Sequence, residues 1–273
     1  MTKEDKRREA MVSDMFRLDG KVVAVVGSGG GIGEAVALAC GAQGAHVVCL
    51  DINSGNAAAA AGKITKAGGS AESGLMDLID DAQVDAGLTG IAKRHGRLDG
   101  LVCTPAINVR KPILKYSLAE FDKVVHLNLR GNFAALMVAG RIMTAQKSGS
   151  IVLFSSIRSI VTEPGQSVYS MTKAGILQLA KTAATEWATQ GVRVNAVGPG
   201  VIETPLTAPI KNNPDWYNAY AMKNPMHRWG QPNEMAGPTV FLLSDAASYV
   251  TGTIIYADGG WLAADGRFTP PGM

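Results

Sequence analysis

The sequence has few cysteines, no long apolar run and almost no net charge. Each of these three absences excludes a class of protein. The three cysteines, Cys40, Cys49 and Cys103, have no metal-ligand spacing and suggest no disulfide framework. No stretch is long enough to cross a membrane, and the charged amino terminus lacks the apolar segment of a secretion signal. We therefore expect a soluble protein of the reducing cytoplasm with no membrane partner.

Charge and histidine content exclude two further kinds of partner. The formal net charge is only +3, and the one basic run, Lys6-Arg7-Arg8, stands among acidic residues. Such a run is typical of a solvated tail and not of a nucleic-acid arm. No metal-ligand spacing occurs among the four histidines, which are His46, His95, His126 and His227. The sequence predicts no nucleic-acid partner and no metal, and leaves a small molecule as the expected ligand.

Apolar segments alternate with helical patterns along the whole chain, and hydrophobic residues make up 47% of it. Near-continuous apolar runs, as opposed to alternating ones, indicate parallel strands covered on both faces. They predict strands over 22–27, 46–51, 71–76, 98–104, 150–155, 192–197 and 253–257. The helical patterns cover 32–43, 55–67, 80–95, 118–146, 167–190 and 233–243. This alternation predicts an α/β fold: a single Rossmann-type, doubly wound domain with a seven-stranded parallel sheet and helices on both faces.

The domain boundaries follow from changes in composition. Residues 1–16 form a polar amino-terminal extension, 17–260 the dinucleotide-binding catalytic domain, and 261–273 a carboxyl-terminal tail. Within the domain, residues 203–232 carry five prolines and interrupt the alternation. A long irregular segment after a strand end is typical of a substrate lid.

The first predicted strand runs directly into a glycine-rich turn, Gly27-Ser-Gly-Gly-Gly31-Ile-Gly33, and a helix follows. Glycines at that place permit a tight turn and a close approach of the backbone to a pyrophosphate at the helix amino terminus. The second strand ends at Asp51, whose carboxylate can accept hydrogen bonds from ribose hydroxyls and repel a 2′-phosphate. With no basic residue in the glycine turn or directly after Asp51, the pattern predicts NAD as the cofactor.

Tyr169 and Lys173 lie four residues apart on a predicted helix, so their side chains share one face. A free tyrosine has a pKa near 10, and lowering it towards 7 takes about 4 kcal/mol in favour of the phenolate. A neighbouring ammonium group can supply part of that energy. The pair alone is a weak signal, because two such residues on an exposed helix face are common.

Together these motifs make the chain resemble the short-chain dehydrogenase/reductase family of the classical type, from about residue 18 to 260. The glycine pattern is met by Gly27, Gly31 and Gly33, and Asp77 stands where the family places an acid beside the adenine. The family's catalytic tetrad is matched by Asn128, Ser156, Tyr169 and Lys173, and its later motifs by 193–200 and 258–260.

The resemblance implies a role for each matched residue. Tyr169 would exchange a proton with the substrate oxygen, while Ser156 would hydrogen-bond that oxygen. Lys173 would hold the nicotinamide ribose and lower the tyrosine pKa, and Asn128 would anchor a water that links Lys173 to solvent. The cofactor-binding residues implied are Gly27, Ser28, Gly31, Ile32, Gly33, Asp51, Ile52, Asp77, Leu78, Tyr169, Lys173, Pro199, Gly200, Ile202 and Thr204.

The chain departs from the family pattern in two segments that brace each other near the cofactor. Val26 replaces the usual threonine before the first glycine, and Cys103-Thr-Pro-Ala106 replaces the usual Asn-Asn-Ala-Gly. We expect the loss of both polar partners together to leave an apolar contact, and cofactor binding to survive.

The substrate is less well indicated. Arg158, Arg110 and Lys111 are predicted near the substrate mouth, where they would suit a carboxylate or sugar acid, although solvated loop charge explains them equally well. The hypothesis is an NAD-dependent dehydrogenase that interconverts a secondary alcohol and a ketone of a sugar, polyol or sugar acid. The alternatives are reduction of a 3-oxoacyl thioester and a non-catalytic nucleotide-binding regulator. By analogy, helices 118–146 and 167–190 would assemble a homotetramer, and Trp261 with the tail would reach a neighbouring subunit.

Overall fold

The computed structural model describes residues 14–264, and its centre is a seven-stranded parallel sheet. The strands lie side by side in the order β3-β2-β1-β4-β5-β6-β7. This confirms the predicted doubly wound architecture. The strand bounds are β1 Val22–Val26, β2 His46–Asp51, β3 Ser70–Leu75, β4 Gly100–Cys103, β5 Gly149–Phe154, β6 Val192–Pro199 and β7 Ile254–Ala257.

Helices connect the strands and cover both faces of the sheet. Those of the sheet connections are α1 Gly31–Ala42, α2 Ser54–Lys66, α3 Asp81–His95, α4 Leu118–Val125, α5 Asn132–Gln146 and α6 Ser167–Trp187. After β6 come α7 Ala208–Lys211, α8 Pro214–Lys223 and α9 Ala236–Leu243. None of the helices within residues 14–264 is long and apolar enough to span a membrane.

Local sequence explains where several helices begin and end. Ser117 starts α4 with a capping box, in which its hydroxyl accepts from the Glu120 amide and the Glu120 carboxylate accepts from the Ser117 amide. The Asp80 carboxylate accepts from two amides in the first turn of α3. Gly96 and Gly191 follow helical segments with left-handed backbone (φ 71° and 76°), a conformation that favours glycine.

The core consists of two apolar layers, one on each face of the sheet. Alternate strand residues point to opposite faces, so that Ala24 and Val26 join one layer while Val23 and Val25 join the other. One layer packs α3, α5 and α6 on the sheet, and the other packs α1, α2 and α9. The three cysteines are free and buried in these layers, where burial raises the pKa of the Cys103 thiol to about 12.

The predicted helix over 118–146 is interrupted between α4 and α5 by a turn of π-helix, His126–Gly131. Within this turn the Asn128 side chain accepts from the Ile107 amide (2.8 Å) and donates to the Ile107 carbonyl (2.8 Å). These bonds tie the helix to the loop after β4. A π-helical turn of this kind frequently marks a functional site.

The segment 203–232 is more ordered than its prolines indicate. It contains α7 and α8, and Pro214 occupies the first turn of α8, where its missing N–H costs nothing. A third apolar cluster lies beneath it and includes Ile210, Tyr220 and Trp229. Trp261, predicted to reach a neighbouring subunit, is instead buried in this cluster within its own chain. The predicted extension 1–16 and tail 261–273 fall largely on residues 1–13 and 265–273, which lie outside the described part.

Candidate active site

A cleft of about 480 Å³ opens at the carboxyl edge of the sheet, where strand order reverses between β1 and β4. Such a crevice is where doubly wound sheets bind their ligands. Fifteen of the residues predicted from the sequence line it: Gly27, Gly31, Ile32, Gly33, Asp51, Ile52, Asp77, Leu78, Ser156, Tyr169, Lys173, Pro199, Gly200, Ile202 and Thr204.

The glycine-rich turn forms one wall of the cleft and leads into the amino terminus of α1. Gly27 has left-handed backbone (φ 82°), and a Cβ on Gly33 would lie 2.0 Å from the Gly27 carbonyl oxygen. The turn and the first helical turn can pack this closely only because no side chain separates them. The free amides of a helix amino terminus, with the positive end of its dipole, suit a phosphate group.

Thr104 connects the glycine turn to the end of β4, contrary to the expectation that both polar partners are lost. Its hydroxyl donates to the Val26 carbonyl at 3.0 Å, and its amide donates to the same oxygen at 3.1 Å. A Cβ on Gly27 would lie 2.5 Å from the Thr104 hydroxyl oxygen. A polar brace is therefore present, with the hydroxyl supplied by the second segment instead of the first.

Asp51 closes the cleft at the end of β2. Its carboxylate accepts from the Gly29 amide and from the Asn53 amide, both at 2.9 Å, and the two bonds hold it beside the glycine turn. Among the described residues that line this cleft, Lys173 is the only cation, and it lies at the other end. The Asp51 end of the cleft is thus acidic.

Asp77, Leu78 and Ile52 also line the cleft. The Asp77 carboxylate accepts from the Ile79 amide (3.1 Å), and the Asp77 amide donates to the Gln83 side chain (3.1 Å). These contacts fix the loop after β3 and present its backbone to the cleft.

Ser28 and Asn128, predicted from the resemblance, are not brought to the wall of the cleft. The buried Ser28 hydroxyl donates to the Leu50 carbonyl (3.2 Å), so the side chain faces β2 and only its backbone remains near the turn. Asn128 is buried behind Thr172, to which its amide nitrogen donates at 3.3 Å. The Asn128 carbonyl accepts from the Asn132 side chain at 3.0 Å.

Lys173 is buried on α6, and its ammonium group donates to the Phe154 carbonyl at 2.8 Å. Burial lowers the pKa of Lys173 to about 8, because no carboxylate compensates the loss of water. The nitrogen lies 5.6 Å from the centre of the Tyr169 ring, as the four-residue spacing predicts. A buried cation with spare donors is suited to hold hydroxyl groups of a ligand.

Tyr169 lines the cleft together with Ser156, which follows the end of β5. Burial raises the pKa of Tyr169, and the Ser156 hydrogen bond and the charges of Arg158 and Arg110 oppose that rise. Lys173 was expected to lower this pKa, but in the structure it is not among the causes. The cations that favour the phenolate, Arg158 and Arg110, lie outside this cleft.

A second cavity, of about 370 Å³, opens beyond Tyr169 under α7 and α8. Ser156, Tyr169 and Gly200 line both cavities. The second one is polar on one side, where Arg158 pairs with Glu163 at 2.8 Å and Arg110 pairs with it at 2.7 Å.

Further contacts hold these two arginines in place. The Arg110 guanidinium lies 4.8 Å from the Trp216 ring centre, and that of Arg158 lies 5.5 Å from the Trp261 ring centre. Asn108 donates to Gln166 at 2.7 Å, while the Asn108 side-chain oxygen is buried without a hydrogen-bond partner in the described part. Two guanidinium groups and one carboxylate leave this wall with an excess positive charge.

The sequence analysis did not predict a role at the site for three residues, Thr104, Glu163 and Asn108. Thr104 stands in the segment that replaces the family's Asn-Asn-Ala-Gly, so its hydroxyl could have been recognised from the sequence as a polar partner for the glycine turn. For Glu163 and Asn108 we find no signal, since their partners lie far along the chain and only the fold brings them together.

The cleft fits a dinucleotide. The amides at the start of α1 suit a pyrophosphate, Asp51 suits ribose hydroxyls, and Lys173 suits the hydroxyls of a second ribose. A Cβ on Gly30 would meet nothing within 4 Å, so the glycine-rich turn leaves open space beside its backbone at this residue.

Comparisons with known proteins agree with this geometry. A family model described as enoyl-(acyl carrier protein) reductase matches residues 26–262. Levodione reductase of Leifsonia aquatica is 36% identical over 264 residues, covering 93% of this chain and 99% of that protein. The 3-oxoacyl-[acyl-carrier-protein] reductase of Thermotoga maritima is 35% identical over 246 residues, covering 90% and 99%. The gluconate 5-dehydrogenase of Burkholderia cenocepacia, solved with NADP and tartrate, superposes with a TM-score of 0.89 at 31% identity, covering 93% of this chain and 99% of that one.

Proposed function

The chain belongs to the short-chain dehydrogenase/reductase family, and from this premise we propose that it interconverts a secondary alcohol and a ketone of a sugar, polyol or sugar acid with NAD(H). It is an oxidoreductase that acts on CH–OH groups with a nicotinamide dinucleotide. The observation that carries the proposal is the shared wall of two cavities, where Ser156 and Tyr169 stand between the nucleotide cleft and a polar cavity.

The proposed chemistry assigns one task to each side chain at that wall. In oxidation, the Tyr169 phenolate takes the proton of the substrate hydroxyl; in reduction, the phenol returns it to the ketone oxygen. Ser156 donates a hydrogen bond to the same oxygen, where charge develops. When bound, the nicotinamide accepts or supplies the hydride at the adjacent carbon.

Lys173 and Asn128 act behind the reacting atoms in this proposal. Lys173 would hold the hydroxyls of the nicotinamide ribose with the donors that Phe154 leaves free. Asn128 would position the loop after β4 through its two bonds to Ile107 and would anchor a water that links Lys173 to solvent.

The preference for NAD over NADP rests on Asp51. A 2′-phosphate there would lie beside a carboxylate, with no arginine or lysine among the described lining residues at that end to compensate. The Burkholderia cenocepacia enzyme was solved with NADP, so the two proteins are proposed to differ in cofactor.

The preference for a polyhydroxylated or acidic substrate rests on the second cavity. Arg110 and Arg158 supply guanidinium donors and the unpartnered Asn108 oxygen supplies an acceptor, and such a mixture suits hydroxyl and carboxylate groups. Ile210, Trp216 and Tyr220 of the 203–232 segment line the same cavity, which supports the proposed role of this segment as a substrate lid.

The test is a panel of polyols, sugars and aldonic acids assayed with NAD and with NADP by the absorbance of the reduced nicotinamide. We expect turnover with NAD for at least one member, and a lower kcat/KM with NADP. No turnover on this panel, together with turnover of steroids or acyl thioesters, would contradict the proposal.

Reduction of a 3-oxoacyl thioester is the second candidate, because the Thermotoga maritima relative is a 3-oxoacyl-[acyl-carrier-protein] reductase. It predicts fast oxidation of NADPH with an acetoacetyl thioester, and the same assay separates the two.

A non-catalytic regulator remains as a third possibility on this fold. Replacing Tyr169 with Phe removes the proton donor and is expected to lower the rate by roughly 10²–10⁴, while NADH binding, measured by fluorescence, is retained. An unchanged rate in Tyr169→Phe would contradict the catalytic assignment.

A further inference from the structure

Three potential metal ligands meet at the amino-terminal edge of the sheet, the edge opposite the cleft. His46 begins β2, Glu72 lies on the neighbouring β3, and His95 is the last residue of α3. Their ligand atoms all lie within 4.8 Å of one another, and the two imidazole rings are 4.6 Å apart between centroids. Within residues 14–264 this is the only such group of three.

His46 carries an unsatisfied nitrogen in this cluster. Its Nε2 atom is buried and has no hydrogen-bond partner in the described part of the chain, whereas its Nδ1 atom lies 2.7 Å from the Ser70 hydroxyl. A histidine bound to a metal through one ring nitrogen commonly engages the other in a hydrogen bond that fixes the ring orientation. Ser70 places His46 in that arrangement and leaves Nε2 directed at the cluster.

The other two ligands are held by the same local packing. The His95 Nε2 atom lies 3.2 Å from the Glu72 Oε1 atom, which also accepts from Arg94 at 2.6 Å. His95 closes α3, where the negative end of the helix dipole favours a cation. All three residues are partly buried, so water can complete a coordination shell.

We propose that His46, Glu72 and His95 form a binding site for a divalent cation of the zinc class, with water in the remaining position. Two imidazoles and one carboxylate are a donor set that zinc accepts in tetrahedral sites. Zinc–nitrogen bonds of about 2.0–2.1 Å place tetrahedral ligand atoms about 3.3 Å apart. The ligand atoms lie within 4.8 Å of one another, so on binding the most distant pair must approach by at most about 1.5 Å.

Arg94 competes with the metal for Glu72. Its side chain is 56% exposed and can turn to solvent, after which the carboxylate is free to bind the cation. In the structure the Glu72 carboxylate is thus paired with Arg94, in the position that the proposed cation would take over. Removing the arginine is therefore expected to strengthen metal binding, an effect that a purely structural ion pair would not produce.

Metal binding here would link β2, β3 and α3 at a place remote from the residues proposed to react with the substrate. β2 extends from His46 at this edge to Asp51 in the cleft, a length of roughly 17–20 Å for six residues. We expect the cation to raise the unfolding temperature and to leave kcat unchanged.

The test is titration of the tag-free, chelator-treated protein with Zn²⁺ against a chromophoric chelator. Wild type is expected to bind one Zn²⁺ per chain, and His46→Ala and His95→Ala to bind it at least roughly 10-fold more weakly. The matched control is His126→Ala, which removes an exposed imidazole that hydrogen-bonds Arg130 and should bind as wild type does.

Two further variants separate the site from general surface binding. Ser70→Ala should weaken Zn²⁺ binding by roughly 10-fold through loss of ring orientation, and Arg94→Gln should strengthen it. Circular dichroism of each variant checks that it is folded, and Co²⁺ absorption reports the coordination geometry. Failure of wild type to bind Zn²⁺, or equal affinity in His46→Ala, His95→Ala and wild type, overturns the proposal.

Discussion

At the scale of single residues, burial and nearby charge set the protonation of the proposed proton donor. Burial raises the pKa of Tyr169, and the guanidinium groups of Arg158 and Arg110 are the charges that lower it. Burial also lowers the pKa of Lys173 to about 8. The arginines that line the second cavity therefore act on the pKa of Tyr169 as well as on the polarity of that cavity.

Replacing Arg158 with Gln is expected to shift the pH profile of alcohol oxidation. Loss of the charge raises the pKa of Tyr169 further, and oxidation needs the phenolate, so the acid limb of kcat/KM should move to higher pH. The measurement is kcat/KM against pH with NAD, and the control is Arg17→Gln, whose exposed side chain pairs with Asp19 and lines neither cavity. A loss of activity at all pH values with an unmoved limb would contradict this account.

Replacing Asp51 with Ala is expected to reduce the discrimination against NADP. Removal of the carboxylate removes repulsion of a 2′-phosphate and a hydrogen-bond acceptor for ribose. The ratio of kcat/KM for NAD to that for NADP should fall by about 10-fold or more, which corresponds to about 1.4 kcal/mol. Asp85→Ala, which removes an exposed carboxylate outside the cleft, should leave the ratio unchanged; the same ratio in both variants would show that Asp51 does not select the cofactor.

At the scale of the elements, the closest backbone packing in the glycine-rich turn is found where β1 leads into α1. The Gly33 backbone lies so close to the Gly27 carbonyl that an added Cβ has no space, whereas Gly30 faces open space with extended backbone (φ 175°). An added side chain therefore meets a steric barrier at Gly33 but none at Gly30.

Replacing Gly33 with Ala is expected to destabilise the ligand-free protein by about 1–3 kcal/mol, since the turn must shift to admit the methyl group. Gly30→Ala is the matched control and should unfold with the wild-type midpoint. Denaturant unfolding followed by circular dichroism measures both. Equal midpoints for the two variants would mean that the turn is less tightly packed than the distances indicate.

At the scale of the whole molecule, the outer surface of α5 supports the proposed homotetramer. Phe133 and Met137, four residues apart on one face of α5, are 50% and 38% exposed, and Leu118 at the start of α4 is 82% exposed. Large apolar side chains on adjacent helices are typical of a surface that another subunit covers.

The double variant Phe133→Glu with Met137→Glu is expected to dissociate the assembly, because two charges would be buried in an apolar interface. Wild type should have a mass in solution of about four times the 28.5 kDa of one chain. Light scattering during size-exclusion chromatography measures both. Leu75→Glu, at an exposed position on β3, is the control, and a monomeric wild type would refute the tetramer.

Local patterns of the sequence were sufficient for much of the fold and part of the site. Strand runs, helix caps and the glycine turn depend on neighbours within a few residues, so their structures follow from short segments. Parallel strands present their carboxyl ends at one edge, and this rule alone brings Asp51, Ser156 and Pro199 to the same cleft. That Tyr169 and Lys173 lie close together follows from the pitch of a helix alone.

The tertiary structure alone decided contacts between residues far apart in the chain. The Thr104 hydroxyl meets a carbonyl 78 residues away, Glu163 neutralises one of two arginines, and His46 meets His95 at the opposite edge. Such contacts depend on strand order and on helix placement across the sheet, which short-range propensity does not specify. The sequence by itself determined the fold class and the family's reacting groups; the packing of distant segments decided their electrostatic surroundings, because charge and burial act through space and not along the chain.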